Sequence, residues 1–592
     1  MGVASVRVGC STTGIGQSAK PSRYRAGGEF FARPRDPTQR RYEALRAYLF
    51  EGRPAAAAAA FGYSTETLHS MVRDFRAGRR EFFLAPRPGP KVAPGKERAR
   101  ARIVELRRAG HSIDEIAQAL EAEGTPLNRT GIAEVVAEEG FPRLWRRLHA
   151  LRGAPGRETL PRSGVIDFER FGEPAESKHA GLLLAVPDLV ALDLPAIVAA
   201  AGYPGTTVVP ATCSILSLLA LKLANIRRVS HVEDLATDPG AALFAGLSSL
   251  PKTTALTSYS YRLSHERQRA FLSALDAAMV RAGLVEGADF DLDFHAIMHW
   301  GEDAALERHY VPRRSQRTRA VLSFFAQDAQ THNLVYANAD LAKAAQAREV
   351  IAFCDHWRAL SGSDPELLVF DSKLTTQQVL GELDARGVRF LTLRMRSPAL
   401  LRHLDALDPK AWRTVALDRD GDYRKPQVAE ETVRLSDYPG PIRQLAVRGL
   451  GHDAPTILVT NDFDLTVKRL LERYAKRMTI EQRLAEATRS FHLDALSSAV
   501  PLNVDLDVVL SVLAGAVCAA LRRRLPGYQT ATPDTLQRRF LQTAGTILNL
   551  PNSDAIVVRL NRRTYSPVLR QADLPEVAVP WWGGRRLRFE YA

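Results

Sequence analysis

The chain has 592 residues, 45% of them hydrophobic and 25% charged, the makeup of a soluble globular protein with several domains and a large core. Its formal net charge of +14 and pI of about 9.7 favour a polyanionic partner. A membrane is the less fitting one: "MGVASVRVGCSTTGIGQSAK" has no apolar signal core, "GLLLAVPDLVALDLPAIVAAAG" is interrupted by Pro187, Asp188 and Asp193, and "VVLSVLAGAVCAAL" (508–521) has the length of a buried helix rather than a span. Cys10, Cys213, Cys354 and Cys518 are far apart, with neither zinc spacing nor a disulfide framework, so a reducing, cytoplasmic location is expected.

Residues 1–37 are polar and basic and are expected to be disordered. From 38 to 82, "QRRYEALRAYLFEG", "RPAAAAAAFG" and "STETLHSMVRDFRAG" read as three short helices, the last capped by Ser64, in a helix-turn-helix pattern. Arg73 and Arg76 on the third helix are candidate DNA contacts. "LAPRPGPKVAPGKE" (83–96) reads as a Pro-rich linker. A second trihelical pattern fills 97–150, with a capping box at Ser112 and Glu115, a cap at Asn128 and a candidate DNA contact at Arg129. Residues 1–150 hold roughly 26 Lys and Arg against 16 Asp and Glu, so much of the positive surplus lies there. A helical bundle used for oligomerisation is the competing reading.

Residues 151–288 read as a helical scaffold. The period then changes: "DFDLDFHAI" alternates acidic and apolar residues, as a strand does. "RAVLSFFAQDA" and "HNLVYANAD" are two further strands, "LAKAAQAREVIAFCDHWRAL" a helix, "ELLVFDS" a strand ending in Asp371, "TTQQVLGELDARG" a helix and "VRFLTLRMR" a strand. Residues 400–462 are strand-prone and rich in turns, and "TILVTND" is their last strand. "YAKRMTIEQRLAEATRSF" (474–491) reads as one basic amphipathic helix. Residues 501–592 are expected to be a helical region followed by a basic tail, "WWGGRRLRFEYA". The run "RRSQRTR" (313–319) reads as a basic loop.

Three antiparallel strands followed by a helix and a parallel strand is the order of a ribonuclease-H-like fold. The first and fourth strands of that fold are neighbours, which brings Asp293 and Asp371 to one spot. Glu481, on a later helix, can complete the group. Three converging carboxylates repel one another, and one or two Mg²⁺ ions remove that penalty while leaving room for a phosphate and a nucleophile. Asp291 shares the face of Asp293 and is the alternative first ligand. On a plain helix, Arg477 and Glu481 would be only an i,i+4 surface ion pair. His295 reads as a packed histidine.

The residues Tyr474, Arg477 and Glu481 fit the spacing of a Tyr-(2)-Arg-(3)-Glu-(6)-Lys signature, although its last position falls on Thr488, with Arg489 next. With "DLDFHAI", "LLVFDSKLT" and about 110 residues between Asp371 and Glu481, the chain resembles the DDE transposases of bacterial insertion sequences. The resemblance implies a multidomain α plus α/β protein. Tandem helix-turn-helix modules and a helical region would precede a ribonuclease-H-like catalytic domain at 289–399 and 463–500, with a β-rich insertion at 400–462. It implies Mg²⁺-dependent cleavage and strand transfer at transposon ends, with Mn²⁺ able to substitute and with Asp293, Asp371 and Glu481 as catalytic and metal-binding residues. Tyr474, Arg477 and Arg489 would contact DNA. Trp412, the one Trp of the insertion, would face a flipped base, against the reading of it as a packed aromatic. The expected partners are double-stranded DNA, as terminal inverted repeats and target, and further copies of the chain assembled on it at the nucleoid. A catalytically inactive DNA-binding regulator and a nuclease without strand transfer are the alternatives.

Overall fold

The computed structural model describes residues 28–79, 82, 94–142, 144, 161–169, 174–299, 306–311, 316–418, 424–451, 454–495, 500–550 and 553–591. The chain divides into two compact units, residues 1–156 and 157–592. The expected disordered N-terminus and Pro-rich linker fall mainly on residues 1–27 and 83–93, outside the described residues; Glu29–Ala32 is a short helix.

The first unit holds two three-helix clusters. In one, Pro37–Glu51 (α1), Pro54–Ala60 (α2) and Thr65–Arg76 (α3) enclose Leu45, Leu68, Met71 and Val72. Asp36 caps α1 by accepting from the Thr38 and Gln39 amides at 2.8 Å, and Ser64 caps α3 through the Thr67 amide at 3.2 Å. In the other, Pro94–Arg108 (α4), Ile113–Ala122 (α5) and Arg129–Glu138 (α6) pack around Ile103, Ile116, Leu120, Ile132 and Val135. Ser112 and Glu115 form the reciprocal box expected of them, and Asn128 accepts from the Gly131 amide at 2.7 Å.

In the second unit a short strand, Ala175–Ser177 (β1), leads into helices that include Ala211–Leu223 (α7) and His265–Arg281 (α8). A large mixed sheet follows. Its strands are Asp289–Met298 (β2), Arg308–Val311 (β3), Gln316–Asp328 (β4), Leu334–Asn338 (β5), Leu367–Phe370 (β6) and Arg389–Leu393 (β7). Glu349–Ser361 (α9) and Gln377–Ala385 (α10) connect them as crossovers. The order β5-β4-β2-β6-β7, with β2, β6 and β7 parallel and β4 and β5 antiparallel, makes this region ribonuclease-H-like. Phe290 anchors β2, its ring 5.0 Å from Phe353 and 4.7 Å from Trp357 on α9.

Three expectations need refinement or correction. First, the β-rich stretch expected at 400–462 is there, but it extends the central sheet. After Pro398–Asp405 (α11), the strands Trp412–Thr414 (β8), Gln427–Arg434 (β9), Pro441–Arg448 (β10) and Thr456–Thr460 (β11) continue the same sheet, β11 pairing with β7. The free edge of β7 accepts them because a buried edge must find partners for its backbone groups. Second, the helix expected over 474–491 is two helices, Val467–Lys476 (α12) and Met478–Phe491 (α13), meeting at Arg477. Third, the C-terminus is not a tail. Pro501–Arg524 (α14) is apolar from Val508 to Leu521 and mostly buried inside the protein. Gly545–Asn549 (β12), Ala555–Leu560 (β13), Val577–Ala578 (β14) and Arg586–Tyr591 (β15) then build a second sheet with β1. Trp581 and Trp582 are buried there and donate to the Phe244 and Leu243 carbonyls.

The run at 313–319 also differs from a loop: residues 316–319 open β4 and pair with β3, while residues 313–315 lie outside the described residues.

Candidate active site

β2 and β6 run parallel, with Asp291 beside Val369 and Leu292 beside Phe370. One step further along each strand come Asp293 and Asp371. Side chains alternate along a strand, and neighbours in parallel strands share a face, so the two carboxylates stand next to each other. Leu292 and Phe370 join the main core on one face, while Val369 joins a second apolar cluster on the other. The acids therefore sit on the face that carries Val369, which α12 covers through Val467, Leu470 and Leu471.

Two arginines descend from those helices onto the acids. Arg473 donates to Asp291 at 2.6 Å and lies 3.7 Å from Asp289. Arg477 donates to Glu481 at 3.0 Å and lies 4.0 Å from Asp293. The two aspartates differ in access: the Asp291 side chain is 1% exposed and Asp293 is 22% exposed. Burial raises the Asp291 carboxyl above its ordinary value, with Arg473 opposing. Asp291 is therefore occupied by Arg473, and Asp293 is the aspartate that opens toward Asp371 and Glu481. Sequence reasoning missed Arg473, although its spacing four residues before Arg477 was there to be read.

The charges of the site are coupled. Burial pushes Asp293 up to about 6; Arg477 works against this, and the charges of Glu481 and Asp371 add to it. Burial opposes the charge of Arg477, but Tyr474, Asp293, Glu481 and Asp371 around it raise its pKa. Asp371 accepts from the Ser372 amide at 2.6 Å and the Ser372 hydroxyl at 3.2 Å, which aims its carboxylate. Burial pushes the Tyr474 phenol up to about 12. Its ring packs on the apolar cluster beneath α12, with the Arg477 guanidinium 5.8 Å from the ring centre.

Among the described residues no group of three or more His, Cys, Asp or Glu side chains is arranged to hold a metal ion. By donor type, though not by the arrangement seen, Asp293, Asp371 and Glu481 suit a divalent cation. Asp293, Asp371 and Glu481 are hard oxygen donors whose mutual repulsion calls for positive charge, and the Arg477 guanidinium supplies it between Asp293 and Glu481. The Arg477 Nε and Nη1 are buried without a hydrogen-bond acceptor, so the guanidinium is not locked in place on that side.

The remaining sequence candidates are spread out. Arg489 is exposed in the last turn of α13, and Thr488 beside it is half-buried. Arg73 and Arg76 are exposed on α3. Arg129 is exposed at the start of α6 but pairs with Asp114 at 2.8 Å. His295 is a packed histidine as expected, its ring edge-on to Phe325 at 6.5 Å. For Trp412 the structure favours the packed aromatic over the base contact. It pairs in register with Ala429, and both belong with Leu404, Ala446 and Ile457 to the cluster under α11. That cluster lies on the sheet face opposite to Leu391, Leu458 and Val428, hence opposite to the acids. Arg448 covers the Trp412 ring at 3.8 Å. The aromatic is held by packing and a cation, away from the site.

Residues 291–514 match the family model described as the transposase DDE domain. The match begins at Asp291 and spans Asp293, Asp371 and Glu481 as well as the strands between them. This segment is thus similar to transposase DDE domains, and a helical N-terminal region precedes it. Among solved structures, the chain is similar to the cryo-EM structure of a piggyBac transposase synaptic complex with hairpin DNA. That likeness has 9% identity and a TM-score of 0.33, and covers 62% of this chain and 82% of that one. No curated protein matches the chain.

Proposed function

We propose that the chain is a DNA transposase of the insertion-sequence type, with Asp293, Asp371 and Glu481 as its catalytic acids. One observation carries the reading: two aspartates in adjacent register on parallel strands face a glutamate on the covering helix, inside a segment similar to transposase DDE domains. Asp293, Asp371 and Glu481 would hold Mg²⁺, or Mn²⁺ in its place. When bound, the metal polarises a phosphodiester, activates the attacking oxygen and stabilises the leaving one. Asp371 is oriented by Ser372, and Asp293 by the hydrogen bond it accepts from the Phe294 amide at 2.9 Å. Arg473 neutralises Asp291 and keeps it out of the donor set. Tyr474 and Arg477 stand beside the acids and would contact the DNA backbone, with Arg489, at the far end of α13, as a further contact. In this scheme Arg477 exchanges its hold on Glu481 for a phosphate.

The N-terminal unit supplies DNA contacts. Its first cluster is the stronger candidate for a helix-turn-helix, because α3 presents Arg73 and Arg76 to solvent. In the second cluster Lys96 and Arg100 on α4 are bound by Glu134, Glu138 and Glu139 at 2.5–2.9 Å, and Arg129 by Asp114, so these cations are already paired. The second cluster therefore contributes less to phosphate contact than the first. The protein works on terminal repeats and target DNA in the cytoplasm, at the nucleoid, as an oligomer. The test is cleavage of a duplex carrying the native flanks of the coding DNA, with Mg²⁺ or EDTA. Tight binding of those flanks without cleavage under any metal would favour a regulator, and cleavage without joining would favour a nuclease.

A further inference from the structure

A second cationic centre lies on the other flank of α13. Arg483 and Glu486 of α13, Arg522 of α14 and His332 of the β4–β5 turn line a cavity of about 40 Å³, walled by Phe491 and Cys518. That volume exceeds what one water needs and suits a small polyatomic ion. Arg483 is held by Glu486 at 2.6 Å. Among the described residues Arg522 makes no ion pair, although it is half-buried. The turn is built to present the histidine. Asp328 accepts from the Gln330 amide at 3.1 Å and the Thr331 amide at 2.7 Å, and His332 takes the left-handed conformation at φ +58. The Gln327 amide lies 3.3 Å from His332 Nδ1 and donates to Thr479 on α13 at 2.8 Å, tying the turn to the helix that carries Glu481.

Arg483, Arg522 and His332 feel one another. Burial lowers the pKa of His332, and Arg483 and Arg522 lower it further; burial and Arg483 likewise lower that of Arg522. One carboxylate, Glu486, faces two guanidiniums. Such an arrangement costs free energy unless an anion joins it.

We propose that Arg522, Arg483 and His332 form an oxyanion site that takes a phosphate group, separate from the three catalytic acids. It rests on the proposed function only for the source of the phosphate, which is either free inorganic phosphate or a phosphodiester of bound DNA. A guanidinium pair matches the oxygens of either.

The full chain would be followed by thermal unfolding in sodium phosphate against sodium chloride at matched ionic strength, and by titration with a random-sequence duplex over a range of salt. Wild type would be compared with Arg522→Gln, Arg483→Gln and Arg522→Lys, each checked for native circular dichroism. A rise in Tm with phosphate that Arg522→Gln and Arg483→Gln abolish, and Arg522→Lys partly retains, supports the site with free phosphate as ligand. No such rise, but a several-fold loss of duplex affinity in Arg522→Gln with a salt slope shallower by about 0.9, supports a DNA phosphate. Neither effect in either glutamine variant overturns the proposal. The phosphate arm uses no DNA, so its outcome is independent of whether the chain is a transposase.

Discussion

Asp291 and Asp293 are two apart on a strand, about 6.6–6.8 Å, and Arg473 and Arg477 are four apart along helix, about 6 Å. The two rows match, so each arginine meets one aspartate, and the inner pair is sealed while the outer one stays open. The alternation of "DFDLDF" and the acid ending "LLVF" were legible because strand period fixes which face a residue takes. The division between Asp291 and Asp293 was not, because it depends on which arginine reaches which acid across 182 residues of sequence. Removing one partner of the sealed pair leaves a buried charge. Arg473→Ala is therefore expected to lose about 3–5 kcal/mol in chemical denaturation, with Asp291→Asn in the same chain recovering part of it.

A second buried acid gives a pH signature. Asp276 is fully buried, bonded to His356 at 2.8 Å, and burial pushes its carboxyl up to about 6 from an ordinary 3.8, with His356 opposing. A raised carboxyl favours the folded state while it is protonated. Its contribution is complete below about pH 4 and is lost as the pH rises through 6, on the order of 3 kcal/mol in all. Stability measured in steps from pH 4 to 7 should fall more steeply for wild type than for Asp276→Asn. A difference of the opposite sign would contradict this placement.

At the scale of elements, the strands of the central sheet were legible because each alternates or runs apolar between turn residues. The break between α12 and α13 was not. Arg477 keeps helical dihedrals, φ −53 and ψ −30, so nothing in local propensity marks the joint. The strand content beyond β7 was legible, but its pairing to the β7 edge was not, because that is a tertiary event. Which of the two readings of Trp412 holds, packed aromatic or base contact, follows likewise from a register that sequence does not state, and the packed one does. Entry into β2 depends on Gly287, at φ +82, where a Cβ would come 2.3 Å from the Trp357 ring. Gly287→Ala adds left-handed strain to overpacking and should cost about 2–4 kcal/mol, seen as a lower denaturation midpoint with unchanged m-value. Ala at a solvent glycine such as Gly95, which has open space and an ordinary φ, is the control.

At the scale of the molecule, the +14 net charge and its concentration toward the N-terminus were read from composition alone. What composition could not tell is that the C-terminal sheet closes on β1 from the start of the second unit, so that this unit is pinned by residues 370 apart, such as Glu176 and Thr546. Two compact units imply separable tasks. Removing residues 1–156 should weaken DNA binding and flatten its salt dependence, while the remaining 157–592 unfolds at nearly the temperature of the whole chain. A large fall in that temperature would contradict the separation.

The most direct measurement of the central claim is nicking of a duplex that carries the native flanks, with Mg²⁺ and with EDTA, for wild type and Glu481→Gln. Cleavage at the flank boundary that needs Mg²⁺ and falls by at least about 100-fold in the variant is the predicted result. Wild-type cleavage that Glu481→Gln leaves intact would show that the three acids are not the catalytic centre.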